Sequence, residues 1–130
     1  MSQKVLVVDD DPDVQLFSVT VLEENGFTPL TANDGHEGMD IIRQEMPALV
    51  ILDVLMPRES GIKLYRTLRT DNKYKSIPVI VLSGISKRSF LRSQNALSEF
   101  GGDAVPEPNI YLEKPVEPEE LAKAIKSVLG

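Results

Sequence analysis

Three consecutive carboxylates, Asp9, Asp10 and Asp11, follow the apolar run Val5-Leu6-Val7-Val8, and Asp13 comes after Pro12. A further carboxylate, Asp53, ends the run Leu49-Val50-Ile51-Leu52 in the same way. Ser83 follows Val79-Ile80-Val81-Leu82, and Lys114, with Pro115 behind it, lies just past Ile110-Tyr111-Leu112. Anions packed this closely repel one another. If Asp9, Asp10 and Asp53 share one place, a hard divalent cation must sit among them. Mg²⁺ takes near-octahedral oxygen ligation and keeps some waters, so two carboxylates and a carbonyl suffice.

Whether these groups meet depends on the elements that carry them. Short apolar or mixed runs recur at 4–8, 27–31, 49–52, 78–82 and 110–112. Three of them contain continuous apolar stretches, the pattern of strands buried on both faces. The second is mixed and the fifth very short, as edge strands tend to be. Between the runs, apolar residues fall at helical spacing. Val14, Phe17, Val21 and Leu22 make one stripe, closed by Asn25-Gly26. Ile41 and Ile42 belong to a second that ends at Pro47, and Ile62, Leu64, Tyr65 and Leu68 make a third. Phe90, Leu91 and Leu97 form a weaker fourth, and Leu121, Ile125, Val128 and Leu129 a fifth, opened by Pro118. Strict alternation of strand and helix predicts one α/β domain over 1–130, with a parallel sheet covered by helices on both faces. In open parallel sheets chemistry collects at the C-terminal strand edges, and with the first strand central beside the third, the acids, Ser83 and Lys114 converge there.

The stretch from Phe100 to Asn109 (FGGDAVPEPN) departs from this pattern. Helix-to-strand connections usually take about two to six residues, and this one has two glycines and two prolines in ten.

Composition narrows the function classes. With 42% hydrophobic and 26% charged residues, the chain reads as a soluble globular protein. A net charge of −6 argues against a direct nucleic-acid partner, since binding a phosphate backbone needs a basic face. The absence of cysteine excludes disulfides, thiolate catalysis and Cys-ligated zinc. The apolar run at the start is too short for a signal peptide or a membrane span, so a cytoplasmic location and no membrane partner are expected.

VLVVDDDPDV, ILDVLMP, VLSG and YLEKP, in this order, resemble the receiver domain of two-component response regulators, and the resemblance covers essentially the whole chain. It implies a flavodoxin-like (βα)5 fold with sheet order 2-1-3-4-5. It also implies a signalling switch, not a conventional turnover enzyme, although such a domain catalyses its own phosphoryl transfer and autodephosphorylation. Asp53 is then the phosphoacceptor, charged by a phosphohistidine on a histidine kinase or histidine phosphotransfer protein. Asp10 and Asp53 would ligate Mg²⁺ directly, Asp9 mostly through water, and the Leu55 backbone carbonyl would add a ligand. Lys114 and the metal would neutralise the transferring phosphoryl group, and Ser83 would bond one of its oxygens. The peptide before Pro115 is often cis in the family. Asp11 is left to cap the first helix, with Pro12 in its first turn.

The resemblance also places Tyr111 at the family's aromatic switch position. Phosphorylation would draw Ser83 towards the phosphoryl group, the ring would follow, and the surface of helix 4, strand 5 and helix 5 would change for a downstream protein or a homodimer. The rival for Tyr111 is an edge-strand aromatic packed on a neighbouring helix. Two departures stand out: the long connection before the fifth strand, which leaves the usual output face in doubt, and Ser60 where the family usually carries Asp. Leu55 and Ile85 occupy positions where family members often carry polar groups that hold the hydrolytic water. Apolar side chains cannot do so by hydrogen bonding, so slower loss of the phosphoryl group is expected than from variants with Asn at position 55 and Glu at position 85.

Simpler roles fit the remaining charges. His36, the only histidine, reads as a solvated residue at a helix start, and the Glu117–Glu120 acids as favourable charge at a helix N-terminus. Three other functions compete with the receiver reading. A Mg²⁺-dependent phosphohydrolase resembling the haloacid dehalogenases would use Asp9 as nucleophile and Asp11 as general acid, but wants a further acidic pair and usually a cap. A flavin-binding module needs a loop of small and hydroxyl residues after the first strand, where this chain has three carboxylates. A receiver-like module acting without phosphorylation would have no need of the full set of groups. An ending directly after the fifth helix suits both a stand-alone regulator and the receiver part of a longer one.

Overall fold

The apolar runs become the strands of one parallel sheet. The structure, a computed structural model, describes residues 2–99 and 105–130. Its elements are β1 (Lys4–Val8), α1 (Pro12–Glu24), β2 (Thr28–Ala32), α2 (Gly35–Glu45), β3 (Leu49–Leu52), a 3-10 turn (Pro57–Glu59), α3 (Ser60–Thr70), β4 (Val79–Ser83), α4 (Lys87–Glu99), β5 (Ile110–Glu113) and α5 (Pro118–Leu129). All strand pairs are parallel and the order is β2-β1-β3-β4-β5. The two runs read as edges, mixed β2 and short β5, are the edges.

Because side chains alternate across a strand, each buried run feeds two cores. Leu6, Val8, Val50, Leu52, Val79 and Val81 face the side covered by α2, α3 and α4, where they meet Ile42, Leu64, Tyr65, Leu68 and Phe90. Val5, Val7, Leu49, Ile51, Ile80 and Leu82 face α1 and α5, against Val21, Leu22, Leu121 and Ile125. Burying one such side chain contributes roughly 1.5–3 kcal/mol, so the three central strands dominate the stability.

The limits of three strands shift by one residue from the expected ones. Phe27 belongs to the end of α1, since its amide donates to Leu22 O (3.0 Å) after Gly26 turns the chain at φ 84°; β2 starts at Thr28. Pro78 precedes β4, its carbonyl accepting from Val50 N (3.1 Å), and β4 runs on to Ser83. Ser83 pairs with Glu113, which extends β5 by one residue.

The connection into β5 falls partly outside the described residues: 100–104 do so, as does the side chain of Leu97. The rest is fastened to α3 and β4. Tyr65 donates its hydroxyl to Pro106 O (2.5 Å), and Asn109 Oδ1 accepts from Val79 N (2.9 Å).

Candidate functional site

The sheet register fixes the rim on which the chemistry-bearing residues stand. Beyond the strand ends, Asp9 N donates to Ala32 O (3.1 Å), Asp53 N to Val8 O (3.0 Å) and Lys114 N to Ser83 O (2.9 Å). These bonds carry the ladders one residue further, so Asp9, Asp53, Ser83 and Lys114 stand on one rim of adjacent strands, Asp9 level with Asp53 and Ser83 and Lys114 one and two residues beyond. Their side chains meet. Asp53 Oδ1 accepts from Ser83 Oγ (2.8 Å) and from the Leu55 amide (2.8 Å), and Asp53 Oδ2 accepts from Lys114 Nζ (3.1 Å). Lys114 also donates to Asp9 Oδ2 (2.9 Å), while Asp9 Oδ1 accepts from the Asp11 amide (2.9 Å). The Lys114–Pro115 peptide is cis.

Burial and charge oppose each other here. Asp9 and Asp53 are buried, at 3% and 5% exposure, and a single ammonium serves both. Burial pushes the Asp9 carboxyl above its ordinary range and outweighs the Asp11 amide and Lys114, which pull it down. Burial pulls the Lys114 ammonium down, but its bond to Asp9 and the charges of Asp53 and Asp9 hold it above its ordinary value. Both groups shift upwards, from opposite causes: Asp9 lies deeper than the lysine, so for the acid desolvation wins and disfavours the charged form, while for the base the two partners win and favour it. A further positive charge is what the acids lack.

Asp10 supplies the third carboxylate. One oxygen from each of Asp9, Asp10 and Asp53 lies within 4.8 Å of the others, a grouping able to hold a metal ion. Asp10 is exposed and borders a cleft of about 310 Å³ also lined by Asn33, Asp34 and Arg58, which leaves room for metal-bound water. An all-oxygen, carboxylate-rich donor set with one open side suits Mg²⁺ better than a soft metal.

Tyr111 is an edge-strand aromatic packed on a neighbouring helix. Its ring packs on Phe90 of α4, with centroids 5.4 Å apart, and its hydroxyl donates to Ile85 O (2.6 Å) in the β4–α4 connection. Burial, then the charges of Glu113 and Asp53, push the phenol up to about 12. Leu55 is 63% exposed beside the acids, and Ile85 is half-buried. Asp11 caps α1 by accepting from Asp13 N (2.9 Å), with Pro12 at the first helical position. His36 is solvated, and Glu119 and Glu120 lie in the first turn of α5.

Three contributors escaped the sequence reading. Gln15 Nε2 donates to Asp9 O (2.5 Å), Ala32 O (3.1 Å) and Asn33 Oδ1 (2.9 Å), tying the β1 and β2 ends together. No local pattern marks it. Gly61 in α3 packs so closely that an added Cβ would stand 2.3 Å from Asp53 O. The glycine after Ser60 in MPRESG was its only signal. Glu113, present in the sequence reading only within YLEKP, reaches the start of α4.

The chain matches the response regulator receiver domain over residues 5–126. It belongs to that family. Among its relatives, the phosphate regulon transcriptional regulatory protein PhoB of Escherichia coli (strain K12) is 31% identical over 129 residues, covering 99% of this chain and 52% of PhoB. Among solved structures, the chemotaxis response regulator CheY4 of Vibrio cholerae superposes with a TM-score of 0.81 at 26% identity, covering 98% of this chain and 99% of the other. A CheY-like receiver domain protein from Methanospirillum hungatei JF-1 gives 0.79 at 25%, covering 99% and 94%. The receiver spans about half the length of the curated relatives it matches. Among the described residues, no helix is long and apolar enough to cross a membrane.

Proposed function

We propose that this receiver accepts a phosphoryl group on Asp53 from a phosphohistidine of a histidine kinase or phosphotransfer protein, and signals through the α4, β5 and α5 surface to a downstream protein or a second copy. One observation carries this: Asp53 is the carboxylate on which a hydroxyl, a backbone amide and an ammonium all converge. A carboxylate oxygen of Asp53 forms the new O–P bond as the N–P bond of the donor breaks, and the electron pair leaves with the imidazole nitrogen. Lys114 neutralises charge on the phosphoryl oxygens, and the Ser83 hydroxyl, already against Asp53, moves to one of them. Asp10 and Asp53, with Asp9 behind them and the Leu55 carbonyl in the same turn, would hold Mg²⁺, which supplies Lewis-acid charge neutralisation when bound. The domain is a switch in a cytoplasmic phosphorelay and turns over no external substrate beyond its own acylphosphate.

The hydrolase alternative fares worse. Asp11, its required general acid, is engaged as the cap of α1, and Asp9 is held by Lys114 and the Asp11 amide. A module working without phosphorylation would leave the Ser83–Asp53–Lys114 arrangement without a use. Incubation with an acyl phosphate and Mg²⁺, followed by intact mass and chemical trapping of the acylphosphate, tests the proposal. Phosphoryl addition at Asp53, lost in Asp53→Asn, supports it; label on Asp9 supports the hydrolase; no addition supports the unphosphorylated module.

A further inference from the structure

Resting on that reading, we propose that Glu113 is a positioning residue that acts with Tyr111 as a two-point clamp, fixing the β4–α4 connection to the end of β5. Tyr111 and Glu113 are two residues apart on one strand, so their side chains leave the same face of β5. Each takes hold of the connection. Tyr111 donates its hydroxyl to Ile85 O (2.6 Å), and Glu113 Oε1 accepts from Lys87 N (2.9 Å), two residues further on. One grip uses a carbonyl and the other an amide, so they cannot substitute for each other. Only Gly84, Ile85 and Ser86 separate the end of β4 from the first residue of α4, and both grips fall at or next to this segment.

The segment carries the hydroxyl that reaches the phosphoacceptor. Ser83 bonds Asp53 through Oγ, pairs with Glu113 across the sheet, and has its carbonyl bonded by Lys114 N. Where Glu113 sits therefore bears on where Ser83 and the start of α4 sit. The charge of Glu113 has a purpose of its own. The first turn of α4 has no acid, and begins Lys87-Arg88, the wrong sign for a helix N-terminus. Glu113 brings a carboxylate to that end from a different element. An ordinary cap is already present, since Ser86 Oγ accepts from Ser89 N (3.1 Å). The Glu113 bond is thus additional to local capping, and unlike Ser86 it crosses from helix to strand.

This difference gives the test. Glu113→Ala, Glu113→Gln, Ser86→Ala and Tyr111→Phe are compared with the full chain by amide hydrogen exchange of residues 85–89 and by the NMR signals of the Tyr111 ring, without phosphodonor. Phosphorylation rates with an acyl phosphate and Mg²⁺ are then measured. The clamp predicts that Glu113→Ala speeds exchange at Lys87 and Ile85 by about three- to tenfold, the range of one net hydrogen bond. It also predicts a shift of the Tyr111 ring signals and slower phosphorylation. Glu113→Gln, which keeps an acceptor, restores much of each effect. Ser86→Ala speeds exchange at Ser89 and leaves the ring and the phosphorylation rate unchanged. The proposal is overturned if Glu113→Ala leaves Ile85 exchange and the Tyr111 ring as in the parent, or if Ser86→Ala reproduces both, which would make Glu113 a helix cap only. A parent protein that takes no phosphoryl group refutes the receiver function, while the exchange and ring measurements still decide the clamp.

Discussion

Replacing Asp10 by Asn should make the metal-free protein more stable and at the same time remove its response to magnesium. One carboxylate oxygen from each of Asp9, Asp10 and Asp53 lies within 4.8 Å of the others, and Lys114 donates to Asp9 and Asp53. At this spacing each repulsion on Asp10 amounts to about 0.9 kcal/mol in water and about 3.5 kcal/mol at an effective dielectric of 20. Asp10 is exposed, which puts it towards the weaker limit, and the ammonium behind its neighbours offsets part of the repulsion. A net gain of about 1 kcal/mol is expected in a chelating buffer, a rise in melting temperature of several degrees for a domain of this size. With Mg²⁺ at ten times its dissociation constant the parent gains about 1.4 kcal/mol, and the variant, short of one anionic ligand, gains little. The two stabilities therefore cross as magnesium is added. Thermal and urea denaturation with and without Mg²⁺, and with Ca²⁺ as a control for general screening, measure both effects. An Asp10→Asn protein that is no more stable than the parent in chelator, or that keeps the full magnesium shift, shows that the acids are not in tension and that the cation does not sit among them.

Other perturbations probe the elements around this site. Gly61→Ala places a Cβ against the carbonyl of Asp53 and the backbone of Val54, and should destabilise by about 1–3 kcal/mol and slow phosphorylation, read by urea denaturation and intact mass. Leu55→Asn with Ile85→Glu should shorten the phosphoryl lifetime about tenfold, the equivalent of one or two hydrogen bonds to the attacking water; an unchanged decay of the phosphorylated species contradicts the assignment. The Tyr111 phenol, raised from an ordinary value of 10 to about 12, stabilises the fold fully below pH 10 and loses that contribution as pH rises from 10 to 12. Tyr111→Phe should flatten the alkaline loss of stability over that window, and identical pH curves for the two proteins would remove the basis for it.

The parts of the fold legible in the sequence are those set by burial on two faces. Val5 to Val8, Leu49 to Leu52 and Val79 to Leu82 could only be central strands, and the residues that end them had to share a rim. Limits failed where local hydrogen bonding competes with pattern. Phe27 is apolar and strand-like, but its amide is taken by Leu22 as α1 ends. The site was legible in the residues that carry charge, and less so in those that hold them. Gln15 uses a single amide group to bind three acceptors at the ends of β1 and β2, a role visible only once the strands are side by side. Glu113 ends a short run, and nothing in YLEKP indicates that its carboxylate turns towards an amide 26 residues earlier.

The same geometry limits how far the switch has to move. Ser83 Oγ already donates to Asp53, and Tyr111 already bonds the connection that Ser83 begins. Adding a phosphoryl group to Asp53 would consume one carboxylate oxygen, so the donor on it, Ser83 on Oδ1 or Lys114 on Oδ2, would have to transfer its bond outward to a phosphoryl oxygen or lose it. Both donors are anchored through the same pair of strand ends, Lys114 N to Ser83 O, so they move together. The start of α4 is tied to that pair through Ile85 and Lys87. On the proposed function, a displacement at Asp53 would thus reach α4 along this chain of hydrogen bonds. On the same proposal, this short hydrogen-bonded path is what would convert a change of charge at Asp53 into a change of surface.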